Sequence, residues 1–471
     1  MTTVPTNGTS KRAVLVVAAT VSFLAPFMGS SINVALPTIG DEFAMDAILL
    51  SWVPTAYLLT LAVFLLPMGR LADIHGRKRT FLFGIVAYTL TSVALALAPS
   101  SAILIAARVA QGIGGAMIFS TSIAILTSVF PANERGSALG ISVSAVYLGL
   151  SLGPFLGGLL TQYFGWRSIF ALNALLGVPI IALVIWKLKG EWAEARGERF
   201  DTVGTAIYGI MLIALIYGLS ILPSGNGAIL IAVGLILFAV FLRAEKRTAT
   251  PLLDVRLFTQ NRLFGMSNLA AFLNYGATFA VVFLMSLYLQ YIKGLSPRDA
   301  GVILVAQPVV MTILAPLSGR LSDRIAPGKV ASVGMAATVV GLVMLTFLGQ
   351  TTSLAYIIVC LICLGIGFGL FSSPNTNAIM SAVTPRYYGV AGASVGTMRT
   401  TGQMFSMGVA MVLLALHVGR VQITPEYFDP FLAAVRTAFA ISAGLCVVGI
   451  FASLARGQVI DERVPPAGRD R

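Results

Sequence analysis

The segment Gly69-Arg70-Leu71-Ala72-Asp73-Ile74-His75-Gly76-Arg77-Lys78-Arg79 is a short, charged, glycine-bracketed turn between two long apolar runs. A reduced copy, Gly319-Arg320-Leu321-Ser322-Asp323-Arg324, returns 250 residues later. A charged hairpin repeated half a chain away predicts a membrane protein built from two related halves. Other positions keep nearly the same offset. Gly112-Ile113-Gly114 matches Gly365-Ile366-Gly367, and Gly136 and Gly149 match Gly389 and Gly402, all 253 residues on.

Composition sets the class. Of 471 residues, 57% are hydrophobic and 10% charged, whereas a soluble domain carries about 25% charged residues. Such a chain cannot cover a water-facing surface. The net charge of +13 does not point to nucleic acid, because Lys and Arg sit at the ends of apolar runs rather than in a basic, aromatic-interleaved domain. Cys360 and Cys363 form a C-x-x-C inside an apolar run, and with Cys446 they read as buried small hydrophobes. No metal site or cofactor is expected. The run after Lys11-Arg12 is too long for a signal peptide and reads as a retained first span.

Fourteen apolar runs follow, at about 13–36, 48–69, 80–98, 102–130, 137–160, 167–186, 203–222, 227–242, 264–289, 299–318, 329–348, 354–380, 388–417 and 432–455. Backbone groups in lipid must be satisfied internally, so these are helices. Lys and Arg concentrate in the second–third, sixth–seventh, eighth–ninth and tenth–eleventh connections, which predicts both termini in the cytoplasm and the cytoplasmic membrane as location. The expected division is a tail at 1–12, a six-helix half at 13–190, an inserted helix pair with its flanks at 191–262, a second six-helix half at 263–455, and a tail at 456–471. A substrate site is expected near the midplane between such repeats.

The first hairpin resembles the loop motif of the major facilitator superfamily, G-x-L-a-D-r-x-G-r-k-x. The resemblance implies an all-α integral membrane protein in the major facilitator fold: two six-helix bundles, an inserted hairpin and alternating access. Gly69, Arg70, Asp73, Gly76, Arg77 and Lys78, with Gly319, Arg320 and Asp323, are then the expected conformational gate. Glycines permit the tight turn, and Asp73 can sit at a helix N-terminus in the facing half. Read alone, the same basic residues are also topology anchors.

In the fourth run, Arg108, Gln111 and Gly112 share one helical face and resemble the family's R-x-x-q-G motif, whose arginine is linked to proton coupling. A structural arginine bonded to carbonyls of a neighbouring helix is the alternative. The fifth run, Gly140-x8-Gly149-x3-Gly153-Pro154-x2-Gly157-Gly158, resembles the motif carried by the family's exporters. Its glycine face lets backbones approach closely, and Pro154 removes a donor. Asn33-Val34-Ala35-Leu36-Pro37, Gly165-Trp166-Arg167 and Tyr288-Leu289-Gln290 look like the fourteen-span drug:proton antiporters, over nearly the whole chain.

One position departs from that branch. Where its members usually carry an aspartate, five residues before Asn33, this chain has Met28. No Asp or Glu lies deep in any run, although a buried carboxylate is the natural proton carrier. The thirteenth run carries the opposite sign, Arg399 with Gln403 one turn on. The twelfth holds the polar stretch Ser372-Ser373-Pro374-Asn375-Thr376-Asn377, which is expected to break its helix. With Asn33, Asn274, Tyr275, Gln290 and Gln307, these are candidate substrate contacts, in a pocket rich in donors. Arg399 can equally brace helices through carbonyls, and Asn and Gln can serve as interhelical ties.

The expected activity is secondary active transport of a small amphipathic compound, as efflux by proton antiport in the family pattern. The alternative is export or uniport of an organic anion not coupled through a membrane carboxylate. A membrane enzyme or a transporter-like sensor is the distant rival. The expected partners are the lipid bilayer and a small-molecule substrate, with the chain acting as a monomer.

Overall fold

The computed structural model describes residues 10–456, apart from 194, 199, 249–251, 253–254, 323 and 384–387. Most of both expected tails, and Asp323 of the second gate motif, therefore lie outside the described residues. Sixteen α-helices occur among them: α1 (Lys11–Glu42), α2 (Ala47–His75), α3 (Arg77–Ala96), α4 (Ser101–Val129), α5 (Ala132–Phe164), α6 (Arg167–Lys187), α7 (Thr202–Ser220), α8 (Gly225–Glu245), α9 (Val255–Gln260), α10 (Arg262–Leu287), α11 (Pro297–Leu304), α12 (Ala306–Ser322), α13 (Pro327–Leu345), α14 (Leu354–Ser381), α15 (Tyr388–His417) and α16 (Phe428–Leu454). They supply 14 helical stretches long and apolar enough to cross a membrane.

Helices α1–α6 pack into one bundle and α10–α16 into another, with α7 and α8 as an inserted pair. Polar caps set several starts. Asp46 accepts from Ile48 N and Leu49 N at 2.9 and 2.8 Å, and Ser353 caps α14. The outward faces stay apolar: Phe83, Leu90, Ile229 and Ile236 are exposed. Faces of that size belong against lipid.

The repeat is visible in how glycines pack. A Cβ on Gly112 would meet Tyr57 O at 2.7 Å and Thr60; one on Gly365 would meet Gln307 O at 2.6 Å and Val310. Gly149 lies against Phe23 O and Phe27 N, and Gly402 against Phe272 O and Gly276 N. Gly84 faces Gly114 O, and Gly334 faces Gly367 O. Each partner recurs about 250 residues on, so the two bundles share one internal packing scheme and not merely a spacing in sequence.

Three elements differ from the sequence expectation. The tenth span is two helices, α11 and α12, interrupted at Val305. Pro308 explains this: it has no N–H for the carbonyl of Leu304, and its ring crowds that carbonyl. The twelfth span is unbroken, because α14 runs through Pro374. There Gly334 lets α13 pack so closely that a Cβ on it would lie 2.9 Å from the Leu370 carbonyl carbon, and a closely packed neighbouring helix supports a helix across a proline. The ninth span ends in a π-helical turn, Tyr288–Ile292.

The inserted pair is closed by its own glycines: a Cβ on Gly218 would lie 3.0 Å from Gly227 O. It leans on both bundles. Tyr208 Oη donates to Ala62 O of α2 at 3.2 Å, and Gly408 of α15 makes room for Leu219.

Candidate functional site

At the end away from the termini the halves are tied by direct hydrogen bonds. Ser286 Oγ donates to Asn33 O at 2.6 Å, and Gln290 Nε2 to Val34 O at 2.9 Å. Ala47 N donates to Val421 O at 3.1 Å. The side-chain oxygen of Asn33 is buried without a hydrogen-bond partner. Gln290 thus serves as a tie across the closed end, whereas Asn33 keeps free acceptor capacity there.

The glycine face of α5 forms a seam with α1. Gly149, Gly153 and Gly157 lie against Phe23 O, Ser30 Oγ and Ser31 Cα, so close that no side chain fits. Ser31 Oγ donates to Gly153 O at 2.9 Å. The other flank of α5 touches the second half: a Cβ on Gly158 would lie 2.5 Å from Pro297 O, and Gly301 receives the carbonyl of Pro154. Gly140, nearer the terminal end, has nothing within 4 Å. Further along, Ser151 and Thr312 share a hydrogen bond of 2.9 Å, and Tyr147 Oη donates to Ser372 Oγ at 3.1 Å.

At mid-depth Arg399 leaves α15 toward the opposite half. Its guanidinium carbon lies 5.8 Å from the Phe119 ring centroid of α4. The side chain is half-buried, and no carboxylate pairs with it among the described residues. Tyr275 meets Phe368 edge-on, with ring centroids 5.3 Å apart. Both amide atoms of buried Asn274, and Oε1 of Gln307, lack partners. Gln403, one turn from Arg399, is half-buried. Asn375 accepts from Arg456, and exposed Asn377 donates to Ser322 Oγ at 3.2 Å; both stand toward the terminal end.

Arg108 is fully enclosed in the first half. Its Nε donates to Val53 O at 3.0 Å and its Nη1 to Gln111 Oε1 at 2.6 Å, while Gln111 Nε2 passes the chain to Ser92 at 3.0 Å. The guanidinium also covers the Tyr57 ring at 4.5 Å. A mid-helix arginine costs about 2.5–3.5 kcal/mol on insertion scales, and here a carbonyl, an amide and a π-face offset that cost. The bond to Val53 O is the carbonyl contact expected of a structural arginine, and Gln111, the other residue of the motif, shares the guanidinium.

The hairpin is bound within its own half and to the inter-half connection. Asp73 accepts from Arg77 Nε at 2.8 Å, and Arg77 Nη1 donates to Ser128 Oγ at 2.9 Å. Lys78 N donates to Glu191 Oε1 at 2.7 Å, Ala195 N to Asp73 O at 3.0 Å, and Arg70 pairs with Glu198. Asp73 was expected at a helix N-terminus in the facing half; the contacts it makes among the described residues are instead with its own half and the inter-half connection. In the second copy, a Cβ on Gly319 would lie 2.9 Å from Ser373 Oγ, and Arg320 is exposed.

Gly76 has φ +125° and joins α2 to α3 directly, against the Glu191 carboxylate. Gly76→Ala is therefore expected to lower stability by about 1–3 kcal/mol and to free the Glu191 contact. Thermal unfolding of the purified variant checks this; an unchanged midpoint would contradict it.

Two features escaped the sequence reading. Met28 Sδ is the contact of Asn173 Nδ2 at 3.8 Å, so the position of the missing acid is filled by a thioether facing an amide. Glu245 is a buried carboxylate at the end of α8, beside the start of α7 at Gly204. The run Phe-Leu-Arg-Ala-Glu carried that signal, but its place just past the apolar stretch suggested exposure.

Comparison with known proteins agrees with this architecture. The model of the Major Facilitator Superfamily matches residues 18–407 and 267–470. The chain is 29% identical to the riboflavin transporter RibZ of Clostridioides difficile, over 93% of this chain and 96% of that protein. It is 33% identical to the cephamycin export protein CmcT of Amycolatopsis lactamdurans over 87% of each, and 32% identical to the multidrug resistance protein Stp of Mycobacterium tuberculosis over 82% and 72%. A crystal structure of a bacterial homologue of the human lysosomal transporter Spinster, inward-facing and unoccupied, superimposes with a TM-score of 0.71 at 15% identity, over 97% of this chain and 99% of that one. A two-bundle fold, a tight glycine seam and a repeat shared by both bundles thus meet a family match across nearly the whole length: the chain belongs to the major facilitator superfamily and is a multi-pass membrane transporter.

Proposed function

We propose that this transporter exports a neutral or anionic amphipathic organic compound by alternating access, as a monomer with both termini in the cytoplasm. The observation that carries the reading is Arg399, a half-buried cation aimed across the halves with no carboxylate beside it among the described residues. An anionic group in the cleft gains a charge-assisted hydrogen bond there, whereas a cationic drug meets repulsion and no acid. With both termini in the cytoplasm, the end closed here is the outer one, as suits an exporter that loads from the cytoplasm. Export is also what the name of CmcT suggests. The proton remains the expected coupling ion, but with no acid deep in a span, it travels on the substrate or is not used at all.

The test is transport in proteoliposomes with an imposed pH gradient, comparing organic anions with cationic dyes. Anions should move and dyes should not, and permanently charged anions should respond little to the gradient. Dye transport that follows the gradient would overturn the reading. Met28→Asp extends the test. An aspartate there faces Asn173 Nδ2 in place of the thioether, and is expected to introduce pH-gradient dependence at some loss of stability. A folded variant with a wild-type gradient response would contradict that expectation.

A further inference from the structure

Arg456, just beyond the end of α16, is 3% exposed. Its Nη2 donates to Asn375 Oδ1 at 2.6 Å, yet its Nε and Nη1 are buried without an acceptor. Among the described residues no carboxylate pairs with it. A guanidinium has five N–H donors, and a neutral amide cannot balance its buried charge. Burial pulls this group down to about 10, with no neighbouring anion to oppose the shift.

The surroundings suit an anion. Arg456 Cδ lies 3.6 Å from the Cβ position of Gly328, in the first turn of α13. The N-cap of that helix, Ala326, supplies no side-chain acceptor; Pro327 has no N–H and Lys329 N donates to Ala326 O, so Gly328 N–H, beside Arg456, is the opening donor that no side chain caps. The helix dipole there adds partial positive charge. Arg320, Arg324 and Lys329 stand exposed around the same loop. The place is the terminal end of the second bundle, where α13, α14 and α16 meet just past the last membrane-length helix.

We propose that Arg456 and the first turn of α13 form a binding site for a phosphate-type oxyanion. Two sources present that chemistry, the headgroup of an anionic phospholipid and a free phosphate. Bound there, the oxyanion would tie α13, α14 and α16 together at their terminal ends.

The experiment uses the full-length protein, delipidated in non-ionic detergent, with Arg456→Gln and Arg456→Lys alongside. Thermal unfolding is followed with phosphatidylglycerol against phosphatidylcholine, and with inorganic phosphate against chloride at matched ionic strength. Wild type should be stabilised by on the order of 3 °C by a phosphate probe. Arg456→Gln should lose that response and Arg456→Lys keep much of it. A response to phosphatidylglycerol alone identifies the lipid; a response to inorganic phosphate identifies a soluble ligand. Wild type indifferent to both probes, or Arg456→Gln responding as wild type does, overturns the proposal. If Arg456→Gln does not fold, the wild-type comparisons and Arg456→Lys still decide.

Discussion

Arg399→Gln is expected to reduce export of organic anions at least tenfold while leaving the protein folded. A charge-assisted hydrogen bond contributes about 1.5–3 kcal/mol, and each 1.4 kcal/mol is a factor of ten. The side chain's one described ring contact is Phe119, at 5.8 Å, so its removal leaves little unsatisfied. Arg399→Lys keeps the charge but loses the planar fork, and should fall between wild type and the glutamine variant. A bracing role gives a different pattern: a lower melting temperature, with all substrates affected alike. Counterflow rates for each substrate class, read beside thermal unfolding, separate the two.

Gly153→Leu is expected to abolish transport. Even a methyl group at Gly153 collides with Ser30 Oγ and approaches Phe27 O to 2.9 Å. Overpacking of that kind costs about 1–3 kcal/mol or more, and the only relief is to push α5 away from α1. That separation would also move Gly158 and Pro154 off the start of α11, where the halves touch. Gly153→Ala should act in the same direction with a smaller effect. Gly140→Ala, on the same helix with open space around it, should behave as wild type. Equal activity of Gly153→Leu and Gly140→Ala would mean that the seam does not govern movement.

The repeat and the glycine motifs could be read from the chain because they depend on identity at fixed spacing. Gly112 and Gly365, or Gly149 and Gly402, have no side chain and therefore mark the sites of closest helix approach. The break at Val305 was also within reach, since Pro308 dictates it. The continuity of α14 was not, because whether Pro374 interrupts a helix depends on how near Gly334 allows its neighbour. The polar residues were the hardest to sort. Gln290, Arg108 and Arg399 look alike in sequence. Their different fates, as a tie across the closed end, a buried brace and a cation facing the opposite half, follow from which helix stands opposite each one.

The central claim is that the halves rock against each other where α5 meets α11, closing one end as the other opens. Paired spin-label distances test it most directly, in a protein whose Cys360, Cys363 and Cys446 have been replaced by alanine. One pair, Asp41→Cys with Arg298→Cys, spans the end closed here; the other, His75→Cys with Arg324→Cys, spans the terminal end. Adding an exported compound should lengthen the first distance and shorten the second, in the same molecules. Both distances changing in the same sense, or neither changing during active transport, would contradict the account.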